Sequence, residues 1–222
     1  MAKAGRLIVF EGGEGSGKTT QIQRVQAWLE QQAQQAEGRF PPWVTTREPG
    51  GTKMSQQIRQ LLLGDDGAEP LQARTELLLY AADRAQHVEF LLRPQLANGA
   101  LILCDRYTDS TIAYQGYGRG LDRSLIDQLN QIATNGLASD LTFWLDVPVE
   151  VGLARTQKRG AADRIEQAAL SFHQRVYQGF AELAQQHPER IVRIDASRSE
   201  GEVTQQLQAV LTSKLQEWFT GE

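Results

Sequence analysis

Short apolar runs alternate along this chain with longer segments in which apolar residues recur every three or four positions. Continuous runs of four or five residues, rich in apolar and β-branched side chains, predict buried strands. They span Leu7–Phe10, Trp43–Thr46, Leu101–Cys104, Leu141–Leu145 and Ile191–Ile194. The segments with helical spacing predict helices over Lys18–Gln35, Lys53–Leu63, Leu71–Ala97, Ser124–Thr134, Glu150–Arg159, Arg164–Gln186 and Glu202–Phe219. Because strands that are apolar throughout are buried on both faces, this alternation predicts an α/β fold with a parallel sheet covered by helices on both sides.

Glycine and proline mark the breaks between these elements. Pro49-Gly50-Gly51 follows the second predicted strand, and Asn98-Gly99 ends the longest predicted helix. The glycine-rich segment Gly116–Gly120 predicts a loop. The sequence has no internal repeat, long linker or change of composition, so we expect a single domain over residues 1–222.

Composition and charge narrow the class of protein. With 41 % hydrophobic and 23 % charged residues, the chain has a globular composition, which excludes a disordered or fibrous protein. The single cysteine, Cys104, excludes an internal disulfide and is typical of a reducing compartment. A net charge of −4 argues against a broad nucleic-acid-binding surface. No apolar run reaches the roughly 18 residues of a membrane span, and the first run ends at Glu11 without a signal-peptide cleavage pattern. We therefore expect a cytoplasmic protein with neither a membrane nor a nucleic-acid partner.

The segment from Gly12 to Thr19, Gly-Gly-Glu-Gly-Ser-Gly-Lys-Thr, matches the phosphate-binding pattern G-x-x-x-x-G-K-[ST]. A predicted strand precedes it and a predicted helix follows it, as the pattern requires. Glycines let backbone N–H groups approach phosphate oxygens, and the helix N-terminus adds partial positive charge. Lys18 would reach the terminal phosphates, and the Thr19 hydroxyl would ligate Mg²⁺. The chain is therefore predicted to bind a nucleoside triphosphate.

Two further features narrow the use of that nucleotide. The sequence lacks the Asn-Lys-x-Asp motif with which GTP switches read guanine. The third predicted strand is followed by Asp105-Arg106-Tyr107, and a cation next to the acid suits a second phosphorylated substrate better than a hydrolytic water. Ligands bind at such strand ends in open α/β sheets. These observations favour a kinase over a hydrolytic ATPase.

Six blocks of residues occur in an order that is typical of one family. They are Gly12–Thr20, Thr46-Arg47-Glu48-Pro49-Gly50-Gly51-Thr52, Ala81-Ala82-Asp83-Arg84-Ala85-Gln86-His87, Asp105-Arg106-Tyr107, Ser110 with Ala113-Tyr114-Gln115, and Asp163-Arg164-Ile165-Glu166. Together they resemble the thymidylate kinase family over almost the whole chain. The resemblance implies a P-loop nucleoside monophosphate kinase fold with a five-stranded parallel sheet. It also implies ATP- and Mg²⁺-dependent phosphorylation of dTMP to dTDP, in dTTP synthesis.

The resemblance implies an acceptor pocket for dTMP. Tyr80 stands where the family places an aromatic that stacks on thymine, and Arg84 where an arginine bonds the thymine edge. Arg106 matches the arginine that grips the monophosphate. Glu14 resembles a carboxylate that bonds the sugar 3′-OH, and Tyr114 an aromatic that disfavours ribose. The other dTMP-binding candidates are Arg47, Glu48, Pro49, Arg59, Ser110, Thr111 and Gln115.

The resemblance further implies how the charge on the transferring phosphate is neutralised. One class of the family carries an arginine in the P-loop at the position of Gly15, whereas the other supplies basic residues from a mobile lid, here about residues 155–166. Gly15 therefore indicates the lid class, with Arg159 as the first candidate cation and Lys158 and Arg164 as the next. The implied catalytic residues are Lys18, Asp105, Arg106, Lys158, Arg159 and Arg164. The implied ATP-binding residues are Gly12, Gly13, Glu14, Gly15, Ser16, Gly17, Lys18, Thr19, Thr20, Arg155 and Ala196, and the implied metal ligands are Thr19, Asp105 and Glu166.

Finally, the resemblance implies a homodimer through a helical face, for which the long apolar helix from Leu71 is the candidate. Two alternatives to a thymidylate kinase remain open at this point. One is a related monophosphate kinase with another acceptor, such as dUMP. The other is a non-catalytic, nucleotide-sensing P-loop module, which predicts nucleotide binding without turnover.

Overall fold

A five-stranded parallel sheet forms the centre of the molecule. The computed structural model describes residues 4–36, 40–64, 69–157 and 164–219. The strands are β1 Arg6–Glu11, β2 Trp43–Arg47, β3 Leu101–Asp105, β4 Leu141–Asp146 and β5 Ile191–Asp195. They lie in the order β2-β3-β1-β4-β5, and every neighbouring pair is parallel. The predicted fold class is confirmed, and each strand lies within one residue of its predicted bounds.

Helices connect the strands. They are α1 Lys18–Gln35, α2 Lys53–Leu63, α3 Ala73–His87, α4 Arg93–Ala97, α5 Thr108–Thr111, α6 Arg123–Thr134, α7 Val149–Gln157, α8 Leu170–Gln186 and α9 Glu200–Phe219. Two π-helical segments, Val88–Leu92 and Ile112–Gly118, follow α3 and α5 directly. The single helix predicted over Leu71–Ala97 is thus confirmed as a continuous helical stretch from Ala73.

Both faces of the sheet are covered. Residues of β1 point alternately to the two sides because side chains alternate along a strand. Phe10 belongs to a core that includes Val25 of α1 and Leu207 of α9. Val9, on the opposite face, belongs to a core with Val88 of the first π-helical segment. Among the described residues, no helix is both long and apolar enough to cross a bilayer.

The start of α8 differs from its prediction. The sequence predicts a helix from Arg164, but residues 164–169 form turns and the helix begins at Leu170. In these turns Arg164 donates to the buried Glu76, while the next side chain, Ile165, is itself buried. In a turn, successive side chains can point to different parts of the protein. The helical periodicity of a sequence does not show where such contacts form. The prediction of helix over residues 164–169 is therefore wrong.

The glycine-rich segment also differs from its prediction. The sequence predicts a loop at Gly116–Gly120, but the π-helical segment Ile112–Gly118 includes its first part. A Cβ atom at Gly118 would lie 2.6 Å from the Phe172 ring of α8. Glycine here allows close helix packing and does not mark a turn until Gly120, where φ is +75°.

The carboxyl ends of the strands meet at one edge of the sheet, because all the strands run in the same direction. Acidic or basic residues occupy these ends, namely Glu11, Arg47, Asp105, Asp146 and Asp195. The predicted phosphate-binding loop leaves the same edge from the central strand, β1. This is the edge at which open α/β sheets bind ligands.

Candidate active site

The loop between β1 and α1 presents backbone groups to an anion. Gly12, Gly15 and Gly17 have φ values of +145°, +66° and +89°, which residues with a Cβ rarely adopt. Gly17 directly precedes α1, and within the described part of the chain no side chain caps the first N–H groups of that helix. A phosphate would satisfy these N–H groups and meet the positive end of the helix dipole.

Lys18 lies across this loop. Its Nζ donates to Gly12 O at 3.0 Å, to Gly13 O at 3.1 Å and to Ser16 Oγ at 3.3 Å. Burial, together with the nearby Arg106 guanidinium, lowers the pKa of Lys18 to about 8. A bound phosphate would oppose this shift, because a neighbouring negative charge stabilises the ammonium form.

Helix α7 closes against the same loop, backbone to backbone. A Cβ at Gly15 would lie 2.0 Å from Gly152 O, and a Cβ at Gly152 would lie 2.3 Å from Glu14 O. No side chain fits at position 15 while α7 occupies this place. The contact gives a physical reason for the absence of a P-loop arginine in this chain.

One cavity of about 300 Å³ connects the loop with β3, α3 and the second π-helical segment. The predicted site residues in its lining are Glu14, Gly15, Ser16, Gly17, Lys18, Thr19, Thr20, Arg47, Pro49, Arg59, Tyr80, Arg84, Asp105, Arg106, Ser110, Thr111, Tyr114, Gln115 and Glu166. The predicted site residues that do not line it are Gly12, Gly13, Glu48, Arg155, Arg164 and Ala196. Lys158 and Arg159 lie outside the described residues.

Arg106 links the loop to the opposite side of the cavity, which is lined by the residues predicted to bind the acceptor nucleotide and is called the acceptor side below. It has a left-handed backbone, with φ of +71°, which costs about 1–3 kcal/mol for a residue other than glycine. Its guanidinium donates to Gly12 O at 3.0 Å, to Ser110 Oγ at 3.2 Å and to Glu14 Oε1 at 2.9 Å. The strained backbone and these bonds hold the cation between the P-loop and β3.

Glu11, at the end of β1, fixes the turn that carries Arg106. This fully buried carboxylate accepts from Tyr107 N at 2.8 Å, from Ser110 N at 3.1 Å and from Ser110 Oγ at 2.6 Å. Burial and the nearby Asp109 raise the pKa of Glu11 to about 7. Because the Ser110 hydroxyl donates its hydrogen bond to Glu11, its oxygen is left to accept a hydrogen bond from Arg106.

Glu14 joins the P-loop to the second π-helical segment. Its Oε1 accepts from the Tyr114 hydroxyl at 2.7 Å as well as from Arg106. The Arg106 guanidinium carbon also lies 4.8 Å from the centre of the Tyr114 ring. Burial opposes ionisation of Glu14, but the charges of Arg106 and Lys18 outweigh it and lower the pKa of Glu14. Glu14 is therefore an anion at the middle of the cavity.

Arg84 of α3 is buried beneath the acceptor side of the cavity. It donates through Nε to Glu48 Oε2 at 2.8 Å and through Nη2 to Tyr107 O at 2.8 Å. Its Nη1 donates to Thr111 Oγ1 at 2.9 Å and to Asn130 Oδ1 at 2.8 Å. A guanidinium has five N–H groups, and Arg84 uses four of them in these hydrogen bonds to other parts of the protein.

Glu48 lies behind Arg84 and away from the cavity. Its Oε1 accepts from His87 Nδ1 at 2.9 Å. The other ring nitrogen, Nε2, lies within hydrogen-bonding distance of the Thr46 hydroxyl, at 2.7 Å. A Cβ at Gly51 would lie 2.5 Å from this ring, so glycine leaves room for it. The structure thus places Glu48 as a partner of Arg84 and His87, not in the cavity lining.

The donor set at the edge of the cavity fits a magnesium ion. Asp105 Oδ1 is buried and has no hydrogen-bond partner among the described residues. Asp105 lines the same cavity as Thr19 and Glu166. Carboxylate and hydroxyl oxygens are the ligands that Mg²⁺ prefers.

The described part of the predicted lid is held by backbone and carboxylate acceptors. Arg155 of α7 donates to Ala196 O at 3.1 Å and to Gly15 O at 3.4 Å, so it bridges the P-loop and the segment after β5. Arg164 donates to Glu76 of α3. The roles predicted for Lys158 and Arg159 stay predictions.

Comparison with known proteins identifies the family of this chain. The family model described as thymidylate kinase matches residues 10–207. The chain is 58 % identical to the thymidylate kinase of Cyanothece sp. over 226 residues, which cover 97 % of each chain. It is also 58 % identical to that of Acaryochloris marina, covering 97 % of this chain and 99 % of the relative. The chain belongs to the thymidylate kinase family. The thymidylate kinase of Thermosynechococcus vestitus is 57 % identical, with 97 % of this chain and 90 % of the relative covered. The family predicted from the motifs is thereby confirmed.

Several buried polar residues that support the thymidylate kinase site were not predicted as site residues. These residues are Glu11, Glu76, Asp83, His87 and Asn130. The available signal was acidic or histidine side chains in otherwise apolar elements, because such groups are rarely buried without a partner. Such a side chain is expected to form a hydrogen bond or ion pair, but the sequence does not show with which residue.

Proposed function

We propose that this chain transfers the γ-phosphoryl group of ATP to dTMP and releases ADP and dTDP. Membership of the thymidylate kinase family supports this reaction. The observation that carries it here is the single cavity lined both by the P-loop and by the acceptor-side residues Tyr80, Arg106 and Gln115. A purely sensory nucleotide site would need only the P-loop end.

The proposed chemistry depends on alignment and on positive charge. A phosphate oxygen of dTMP attacks the γ-phosphorus in line, while the bond from the γ-phosphorus to the β,γ-bridging oxygen breaks and its electrons stay on ADP. Lys18 stabilises the charge on the donor phosphates. Arg106 binds the acceptor phosphate, and the arginines Arg47 and Arg59 at the same cavity support it. No strong general base is needed, because the attacking group is already an anion.

Thr19 and Asp105 would hold Mg²⁺ in this reaction, with Glu166 as a further candidate. When bound, the ion neutralises phosphate charge and orients the donor. Asp105 Oδ1, which has no hydrogen-bond partner in the described ranges, supports this role. Thr19 lies at the first turn of α1, beside Lys18, which suits a ligand close to the phosphates.

The acceptor base is proposed to lie against Tyr80 and above Arg84. Tyr80 lines the cavity, and burial raises the pKa of its phenol, so the ring stays neutral. Thr111 and Gln115 face the same space, and Tyr114 would crowd a 2′-hydroxyl. Ser110 and Pro49 complete the proposed dTMP contacts, whereas Glu48 acts through Arg84.

The lid cations Arg159 and Lys158 are proposed to stabilise the transferring phosphoryl group. The glycine contact between the P-loop and α7 supports this, since it leaves no space for an arginine at position 15. Arg155 is proposed to frame the adenine side together with Ala196. The lid, about residues 155–166, is proposed to belong to a single domain with the rest of the chain.

A coupled assay of ADP release tests the reaction. The acceptors are dTMP, dUMP, UMP, CMP, AMP and GMP, each with ATP and Mg²⁺. We expect the highest kcat/KM with dTMP, a lower value with dUMP and negligible turnover with the others. Turnover led by another acceptor would overturn the thymine pocket, and nucleotide binding without any turnover would overturn the kinase.

We also propose that the chain is a homodimer and works in the cytoplasm. Large apolar side chains are exposed on neighbouring helical elements, at Leu78 of α3, at Phe90 after α3 and at Ile132 of α6. Ile132 is 75 % exposed and Phe90 is 70 % exposed, which is costly for a monomer. Sedimentation equilibrium should give a dimer for the unmodified chain and a monomer for Ile132→Glu. Leu170→Glu on α8 is the control, and a monomeric unmodified chain would contradict the proposal.

A further inference from the structure

A carboxylate outside the cavity contacts Gln115, a residue of the proposed base pocket. Glu76 of α3 is fully buried and does not line the cavity. Its Oε1 accepts from Gln115 Nε2 at 2.8 Å. Arg119 donates to both carboxylate oxygens, at 3.3 and 3.1 Å, and Arg164 donates to Oε2. Glu76 therefore connects a residue of the proposed base pocket with two cations.

These contacts fix the charge state of Glu76. Burial alone would raise the pKa of its carboxyl, but hydrogen bonds from Arg119, Gln115 and Arg164 outweigh burial and lower it. An ionised carboxylate can only accept hydrogen bonds. The atom of the Gln115 amide that lies at 2.8 Å must therefore be its nitrogen.

The orientation of the Gln115 amide follows from this bond. The nitrogen is held by Glu76, and Gln115 lines the cavity. We infer that the carbonyl oxygen, on the other side of the amide from this bond, is the acceptor that meets the base. Thymine and uracil carry an N–H at ring position 3, whereas cytosine carries a lone pair there and an amino group next to it. A fixed carbonyl would accept from the first two bases and oppose the lone pair of the third. Such a mismatch leaves two acceptors facing each other, which costs about 1–3 kcal/mol.

We propose that Glu76 is a positioning residue that sets the choice of acceptor base by holding the Gln115 carbonyl toward the substrate. Arg119 and Arg164 keep Glu76 ionised, so that it cannot become a donor and release the amide. The proposal rests on the proposed function, because it concerns the base of the acceptor nucleotide.

The test replaces the carboxylate by an amide of the same shape, in Glu76→Gln. A glutamine at this position can donate an N–H, which allows the Gln115 amide to invert. The acceptors compared are dTMP and 5-methyl-dCMP, which differ only at the edge that Gln115 would read. We expect their ratio of kcat/KM to fall by about tenfold or more in the variant, equivalent to about 1.4 kcal/mol. The ratio of dTMP to dUMP reports on the methyl group and should stay unchanged.

Asp146→Asn is the matched control. Asp146 is another buried carboxylate that pairs with an arginine, Arg193, but it lies at the end of β4 and does not line the cavity. This variant should keep the selectivity between dTMP and 5-methyl-dCMP. Loss of activity with all acceptors by the same factor in Glu76→Gln would overturn the proposal, since a merely structural role predicts that result.

A second variant and a binding measurement cover the case in which Glu76→Gln does not fold. Glu76→Asp keeps the charge and shortens the side chain, and calorimetric Kd values for dTMP and 5-methyl-dCMP replace the rates. In the Gln115→Leu background, a change at Glu76 should not alter selectivity further, because its effect passes through the amide. Failure of the unmodified chain to phosphorylate dTMP would contradict the proposed function. Normal turnover with unchanged selectivity in the variants would contradict only the role of Glu76.

Discussion

The P-loop and the acceptor pocket face each other across one cavity, but they are built in different ways. The loop takes its groups from eight consecutive residues, Gly12 to Thr19, and relies on backbone N–H groups and one lysine. The acceptor pocket takes single residues from β2, α2, α3, the turn after β3, α5 and the second π-helical segment. It joins them through buried charges such as the Arg84–Glu48 pair, whose side chains are only 2 % and 3 % exposed.

Because of this difference, we expect substitutions in the two regions to have different effects on substrate binding and on the stability of the fold. A change at Lys18 should affect phosphate binding and leave the fold nearly intact, because its ammonium group bonds to the loop itself. A change in the acceptor pocket should affect folding and substrate binding together, because its ligands are also its internal supports. Three predictions test this contrast.

The largest expected effect on stability is at Arg84. Arg84→Met removes the cation and leaves the Glu48 carboxylate buried beside His87, which should lower the free energy of unfolding by about 3–5 kcal/mol. Urea unfolding followed by circular dichroism measures this change. Arg24→Met is the control, because the Arg24–Glu200 pair is exposed at 45 % and 67 % and such pairs contribute about 0–1 kcal/mol. Equal effects of the two variants would show that the buried Arg84–Glu48 pair supports the fold no more than an exposed pair does.

The largest effect on catalysis alone is expected at Lys18. Lys18→Ala should lower kcat by about a hundred- to a thousandfold, or 2.7–4 kcal/mol, because a positioned cation is lost from the transferring phosphates. The Kd for dTMP, measured by calorimetry, should stay within about twofold, and the melting temperature should change little. A melting temperature that falls as far as that of Arg84→Met would contradict the contrast.

The smallest effect concerns the pH dependence of stability at Asp83. Burial, together with the nearby Glu48, raises the pKa of Asp83 from 3.8 to about 6. The folded state therefore binds this proton more tightly than the unfolded state. The contribution of Asp83 is most favourable below pH 4 and is lost as the pH rises through 6, by up to about 3 kcal/mol. Asp83→Asn should remove this loss, so the variant gains stability relative to the unmodified chain between pH 4.5 and 7.5.

Urea unfolding at those two pH values measures the gain for Asp83→Asn. Asp127→Asn makes the same chemical change at an exposed position on α6 and serves as the control. If the difference between Asp83→Asn and the unmodified chain is the same at both pH values, the raised pKa plays no part in stability.

Local patterns were enough to predict the sheet and the P-loop. Strands such as Leu101–Asp105 are buried on both faces, and their apolar runs show it directly. The loop motif is contiguous, so its residues are neighbours in the sequence and in space. The acceptor pocket was predicted only through resemblance to a family, and that resemblance did not reveal that Glu48 pairs with Arg84 and His87.

The errors have a common physical cause, which is pairing between distant residues. The helix expected from Arg164 is absent over residues 164–169 because Arg164 turns inward to Glu76, 88 residues away in the sequence. The loop expected at Gly116–Gly120 is partly helical because Gly118 lies against the Phe172 ring. Neither the periodicity of a segment nor its glycine content shows which distant residue it will contact.

The contact between Gly15 and Gly152 restricts the routes by which this enzyme can change. The obstacle at position 15 is a backbone oxygen of α7 at 2.0 Å, so no substitution at Gly152 would remove it. An arginine introduced into the loop would have to displace α7, which carries Arg155 and leads into the lid segment. A single substitution at position 15 therefore cannot introduce a loop arginine while α7 keeps its present place. A lineage that acquired such an arginine would have to move this helix first.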